Sequence, residues 1–139
     1  MNERAVYVLD SNTISYFLKK NGGIDKAIAI ALTNGDLIEI APVAYYEVKR
    51  GLISVGALNR IRIFEDLCNR FRVGAIDKQV LSAASVIYAD LRTRGLLIED
   101  ADILIAAYCV ANQFTLVTHN LKHFINIKGL SVEDWVSEE

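Results

Sequence analysis

One proline, two cysteines and a single tryptophan are spread over 139 residues, and each scarcity removes a class of protein from consideration. So little proline, with only eight glycines, excludes collagen-like and proline-rich low-complexity chains. Cys68 and Cys109 lie inside apolar helical patterns rather than in a spaced framework, so they read as buried reduced thiols, not as a disulfide or zinc site. No apolar run reaches the ~20 residues that span a bilayer; the longest is Ile103 to Ala111. Neither sign of charge prevails: 15 Lys and Arg face 17 Asp and Glu, for a net charge of −2. No global field therefore draws the chain onto nucleic acid, and any such contact would use a local basic patch. Met-Asn-Glu-Arg runs straight into an apolar segment without the about 7–15-residue apolar stretch of a secretory leader. A cytoplasmic protein with no membrane association is the expectation.

What is present is an apolar content of 53%, with 23% charged residues and a mean hydropathy of +0.27. A chain of this length buries roughly 70% of its unfolded surface and needs no staples. No repeat or linker divides it, so residues 1–139 read as one domain.

Short apolar runs alternate with helical stripes. Ala5 to Leu9 reads as a strand closed by Asp10, and Asp10-Ser11-Asn12-Thr13 offers capping residues to a helix carrying Ile14, Phe17 and Leu18. Asn21-Gly22-Gly23 is expected to stop that helix, and Asn34-Gly35 the next one. A second strand at Leu37 to Ala41 meets Pro42, and a helix follows over Val43 to Gly51. Leu58 to Phe71 carries a longer apolar stripe, a weak strand candidate covers Phe71 to Ile76, and Asp77 caps a helix running to Gly95. Ile103 to Ala111 is apolar on nearly every face and predicts a central, buried helix. Phe114 to Val117 is a third clear strand, followed by a short helix at Leu121 to Phe124 and a strand candidate at Leu130 to Trp135. Such alternation implies an α/β sandwich with a parallel sheet covered on both faces.

Parallel sheets place their sites beyond the carboxyl ends of the strands. Asp10 and Asn120 fall at such ends, Glu47 on the helix after the second strand, and Asp102 at the head of the buried helix. Each has a plainer role open to it. Asp10 can be a turn or cap residue; Glu47 can pair with Arg50 at i+3, worth ~0.3 kcal/mol. Asp100 and Asp102 can complement a helix dipole for roughly 0.3–1 kcal/mol, and Asn120 can cap the helix at Leu121. Together the acids suggest more, because carboxylates converging in one cleft repel unless a cation sits among them. An oxygen-only set suits Mg²⁺ or Mn²⁺ rather than zinc. The chemistry indicated is metal-assisted hydrolysis of a phosphodiester.

Five segments then carry a family resemblance: YVLDSNTIS (Tyr7 to Ser15), IAPVAYYEVKRG (Ile40 to Gly51), DILIAAYC (Asp102 to Cys109), LVTHNLKHF (Leu116 to Phe124) and GLSVEDW (Gly129 to Trp135). In this order they resemble the PIN-domain ribonucleases, more narrowly the VapC-type toxins of type II toxin–antitoxin systems. The resemblance covers essentially the whole chain. It implies a four- or five-stranded parallel sheet and a Mg²⁺-dependent endoribonuclease, Mn²⁺ being the other candidate ion. Asp10, Glu47 and Asp102 match the family's three acidic, metal-binding positions, and Asn120 a fourth that is Asp in some members. Asn12, Thr13, Asp100 and Thr118 are expected to support these residues from behind.

His119 departs from the family pattern and reads as an exposed residue without a role; His119 and His123 lack a third ligand for zinc. Lys49, Arg50 and Lys122 are the candidate phosphate contacts, whereas Arg60, Arg62, Arg70, Arg92 and Arg94 read as solvated helix charges. The resemblance also implies an RNA substrate, a VapB-type antitoxin and a homodimer, with Tyr16, Phe17, Tyr45 and Tyr46 near those surfaces. Two rival readings stand beside it. One is a catalytically inactive fold that only holds a protein or RNA partner; the other is a small phosphatase or DNA-directed nuclease on a similar sheet.

Overall fold

The computed structural model describes residues 4–138. Val6–Leu9 forms β1, and Asp10 both ends it and begins α1 (Ser11–Leu18), its carboxylate accepting the Thr13 backbone N–H at 2.8 Å. The chain continues through α2 (Gly22–Thr33), β2 (Leu37–Ile40), α3 (Pro42–Ser54), α4 (Leu58–Arg70) and β3 (Arg72–Val73). It then forms α5 (Lys78–Thr93), α6 (Asp100–Asn112), β4 (Thr115–Val117), α7 (Leu121–Phe124) and β5 (Ser131–Glu133). Pro42 occupies the first turn of α3, where its missing N–H costs nothing. Asp77 caps α5 as its position suggests, accepting from the Val80 N–H at 2.9 Å.

Two local expectations need correction. Asn21-Gly22-Gly23 is less a stop than a start: the Asn21 side chain accepts from the Gly23 and Ile24 N–H groups and opens α2 at Gly22. What ends α1 is Lys20, which turns into the left-handed region at φ 61°. The strand candidates at Phe71 to Ile76 and Leu130 to Trp135 shrink to two and three residues. Each lies at an edge of the sheet and has one neighbour to pair with.

The sheet has the order β3-β2-β1-β4-β5 and every pairing is parallel. The chain steps outward from β1 to β2 to β3, then returns through α5 and α6 to lay β4 on the far side of β1. Strand order thus reverses between β1 and β4, the switch point beyond which open sheets form their sites. Leu9 is in register with Val117, so Asp10 and Thr118 come next to each other at that crevice.

Val8, Leu9, Ile40, Leu116 and Val117 from the sheet pack with Ile14, Ile24, Phe64, Leu91 and Ile105 from the helices, all fully buried. Each such side chain contributes about 1.5–3 kcal/mol of burial. Helix α6 is the buried helix its composition predicts, with Ile103, Ile105, Ala106, Ala107, Tyr108 and Cys109 inside. One polar pair crosses this core, the Tyr108 hydroxyl donating to the Glu39 carboxylate on β2. Gly74 lets the chain pass the Tyr108 ring, which any Cβ at that position would strike.

Candidate active site

The junctions that make the fold also make the cleft. Asp10 is fixed at the β1–α1 junction and is only 4% exposed. Two threonines reach it from opposite directions. Thr13 gives it the backbone N–H while its hydroxyl donates to Val117 O at 2.9 Å, tying α1 to β4. The Thr118 hydroxyl donates to the Asp10 carboxylate and accepts the Asn120 N–H at 3.0 Å. Burial pushes the Asp10 carboxyl up; these hydrogen bonds oppose that, and the Asp102 charge adds to it.

Glu47 lies on α3, which packs against both α1 and α6. Its carboxyl is also raised, first by burial and then by the charges of Asp102 and Asp10, against a Ser11 hydrogen bond and the Arg50 charge. One of its oxygens, Oε1, is buried without a hydrogen-bond partner. A buried acceptor in that state is costly unless something absent from the chain completes it.

Asp102 stands in the first turn of α6, where the helix dipole favours its charge. Its Oδ2 lies 3.0 Å from His123 Nδ1 on α7. The cap of α6 falls on Glu99, whose side chain makes no capping bond. Asp100 lines a groove with Ser85 and Tyr88 of α5. Asn120 heads α7 without a side-chain capping bond, so the Asx-cap role open to it in the sequence is not the one it takes. Asn12 lines a cavity of about 160 Å³ with Ser11, Ser15 and Glu47.

The Asp102 charge therefore acts on both Asp10 and Glu47, and the Asp10 charge on Glu47 as well. Among the described residues no three His, Cys, Asp or Glu side chains are arranged to hold a metal ion as they stand. An open, oxygen-only arrangement with an orphaned carboxylate oxygen fits a hard divalent cation that keeps part of its water, as Mg²⁺ does.

The surroundings differ from expectation in their cations and histidines. Lys49 is committed to Glu65 at 3.0 Å and to the Tyr45 hydroxyl at 2.8 Å, so its charge is not free for a phosphate. Arg50 lies over the exposed Tyr46 ring, 4.9 Å from its centroid. Arg60, by contrast, lines a second cavity of about 240 Å³ together with Lys19 and Glu47. His119 is exposed but partnered, with Nδ1 2.9 Å from Asp134 and its ring edge-on to Tyr16. His123, Ser11, Ser15, Lys19 and Arg60 are the residues the sequence reading missed. Ser11 and Ser15 lie one turn apart on α1 and Lys19, its C-cap residue, follows four residues later, and Ser15 and Lys19 line the same cavity.

Comparison with known proteins gives this geometry a context. The PIN domain family model matches residues 7–130. Ribonuclease VapC1 of Methanocaldococcus jannaschii is 31% identical over 134 residues, covering 95% of this chain and 89% of that protein. A ribonuclease VapC1 of Haemophilus influenzae is 29% identical over 133 residues, covering 94% and 98%. Among solved structures, DNA-bound VapBC from Salmonella typhimurium superposes with a TM-score of 0.85 at 26% identity, over 94% of this chain and 98% of that one.

Proposed function

Since this chain belongs to the PIN domain family, we propose that it is an endoribonuclease toxin of the VapC type, dependent on a divalent metal and held inactive by a VapB-type antitoxin. The observation that carries the reading is Glu47 Oε1, a buried carboxylate oxygen without a partner, in a cleft where Asp10 and Asp102 also raise its protonation.

Asp10, Glu47 and Asp102 would hold the cation, Mg²⁺ in the first instance and Mn²⁺ as the alternative. When bound, such an ion lowers the pKa of a water and offsets charge on phosphoryl oxygens. The chain's own part is to keep the acids in place. Thr13 and Thr118 hold Asp10 from two sides, His123 holds Asp102, and Ser11 stands against Glu47. Asn120, neutral and uncommitted to a cap, offers a donor and an acceptor to orient a water or a phosphate oxygen. We assign the same chain to a homodimer acting in the cytoplasm.

Incubating the protein with RNA, single-stranded DNA and a phosphomonoester, each with Mg²⁺, Mn²⁺ or EDTA, tests the reading. RNA cleavage alone, and only with a divalent ion, is the expected result. Hydrolysis of the monoester or of DNA in preference would contradict it, and no hydrolysis of any substrate would favour a fold that only binds.

A further inference from the structure

Two cavities adjoin at Glu47 and share Ser15 and Val48 as walls. The first runs past Ser11 and Asn12, beside Glu47. The second, about 240 Å³, ends at Lys19 and Arg60. From Ser11 at the start of α1 to Lys19, the residue that caps its end, is two steps of four residues, about 12 Å at the rise of an α-helix. On α3, Gly51 lies one turn beyond Glu47, and a Cβ there would meet nothing within 4 Å. The groove is thus open beside Gly51, and its wall carries the apolar Leu18, Val48 and Leu52 between Glu47 and the two cations, Lys19 and Arg60.

The two cations differ from Lys49 on α3, whose charge is taken by Glu65. Among the described residues Lys49 is paired with Glu65, and Lys128 and Arg94 with Asp90. Among the described residues Lys19 meets the Tyr16 ring, 5.7 Å from its ammonium, and neither it nor Arg60 has an ion pair. Two cations lining the same groove as the Glu47 carboxylate form an asymmetric charge arrangement. A partner that is negative at every repeat suits it, one charge meeting the acids through a bound cation and the next meeting Lys19 and Arg60 directly.

Resting on the ribonuclease reading above, we propose that Lys19 and Arg60 form a subsite for a backbone phosphate of the RNA chain beyond the one being cut. The subsite binds the strand and sets how it enters the cleft, without reading bases, because phosphate contacts position a nucleic acid but carry no sequence information.

The test is equilibrium binding of fluorescently labelled single-stranded RNA to the full chain in EDTA, over a series of salt concentrations and with two unrelated oligonucleotide sequences. Lys19→Gln and Arg60→Gln should each weaken binding of both sequences alike, about fivefold. Each should also lower the slope of log affinity against log salt by about 0.7, one phosphate contact on a single strand. Lys128→Gln removes the same charge from a separate cavity and should move neither quantity. Gly51→Leu fills the groove while favouring the helix, and should weaken binding without removing any charge. Binding and slope unchanged in Lys19→Gln and Arg60→Gln would overturn the subsite, as would losses matched by Lys128→Gln. Retained RNA binding with lost binding of a glutamate-rich peptide would also overturn it, and assign the groove to an acidic protein segment. Wild-type cleavage of RNA with Mg²⁺, measured in parallel, keeps the two claims apart: absent cleavage counts against the ribonuclease, whereas cleavage with unchanged variant binding counts against the subsite alone.

Discussion

His123 Nδ1 stands 3.0 Å from Asp102 Oδ2, so an imidazole from the short α7 holds a carboxylate at the head of α6, 21 residues earlier in the chain. A carboxylate fixed by such a bond offers its other oxygen in one orientation. Partners of this kind typically contribute 10–100-fold to metal affinity or activity. His123→Ala is expected to weaken Mn²⁺ binding, measured by calorimetry, by about tenfold, and to lower the cleavage rate in step. His123→Gln, which keeps a donor in reach, should recover part of both. Unchanged Mn²⁺ affinity in His123→Ala would show that the bond positions nothing.

Asp10 and Glu47 should destabilise the metal-free protein. Burial raises both carboxyls, so the folded state binds protons more tightly than the unfolded chain does. Stability without metal then falls as pH rises from the ordinary carboxylate range through the raised values, and stays low at neutral pH. Asp10→Asn keeps an acceptor for the Thr13 N–H while removing the charge. In EDTA at pH 7, Asp10→Asn and Glu47→Gln are each expected to melt about 2–4 °C above wild type. That gap should close near pH 4. Divalent cations should raise the melting temperature of wild type and leave both variants where they are. A wild-type protein that is the more stable in EDTA at pH 7 would reverse the sign of this argument.

The Tyr108–Glu39 pair gives a prediction about folding alone. Tyr108→Phe leaves a carboxylate that is 7% exposed without its hydroxyl partner. The expected cost is about 2–3 kcal/mol, read from the midpoint of urea unfolding. Adding Glu39→Leu should recover most of it, since replacing both partners with apolar groups is often near neutral. A single variant as stable as wild type would mean that Glu39 finds another partner at no cost.

Cys68 provides a check on burial near α3 and α4. Its thiol is pushed up to about 11, chiefly by burial with the Glu65 charge adding. It should therefore react slowly with iodoacetamide at pH 8 in the folded protein and rapidly once the chain is unfolded. Fast alkylation of the native protein at pH 8 would place the thiol in open solvent.

Most of the frame is readable from local pattern. β1, β2 and β4 are dense in β-branched residues, and Asp10, Pro42 and Asp77 sit where strands and helices begin. Asp102 was legible because the run that follows it, Ile103 to Ala111, is apolar on nearly every face. What stayed hidden depends on packing between distant segments. A two-residue strand such as β3 has no period to detect, and only its pairing with β2 defines it. In the sequence Lys49 reads as a phosphate contact and Arg60 as a solvated helix charge, and the structure exchanges their situations. The packing of α3 on α4 gives Lys49 the carboxylate of Glu65 and turns Arg60 toward the groove. His123 seemed half of an incomplete zinc pair because nothing local places α7 against α6. Asn21 capped the helix after it because Lys20, not a glycine, took the left-handed conformation.

Cleavage of a total RNA preparation by wild type and by Asp10→Asn, each with Mg²⁺ and with EDTA, bears most directly on the claim that these acids run a metal-dependent hydrolysis. Wild type with Mg²⁺ should cut, EDTA should stop it, and Asp10→Asn should lower the rate by more than about a hundredfold, beyond what supporting residues alone contribute. Equal cutting by Asp10→Asn, or cutting that survives EDTA, would contradict the account.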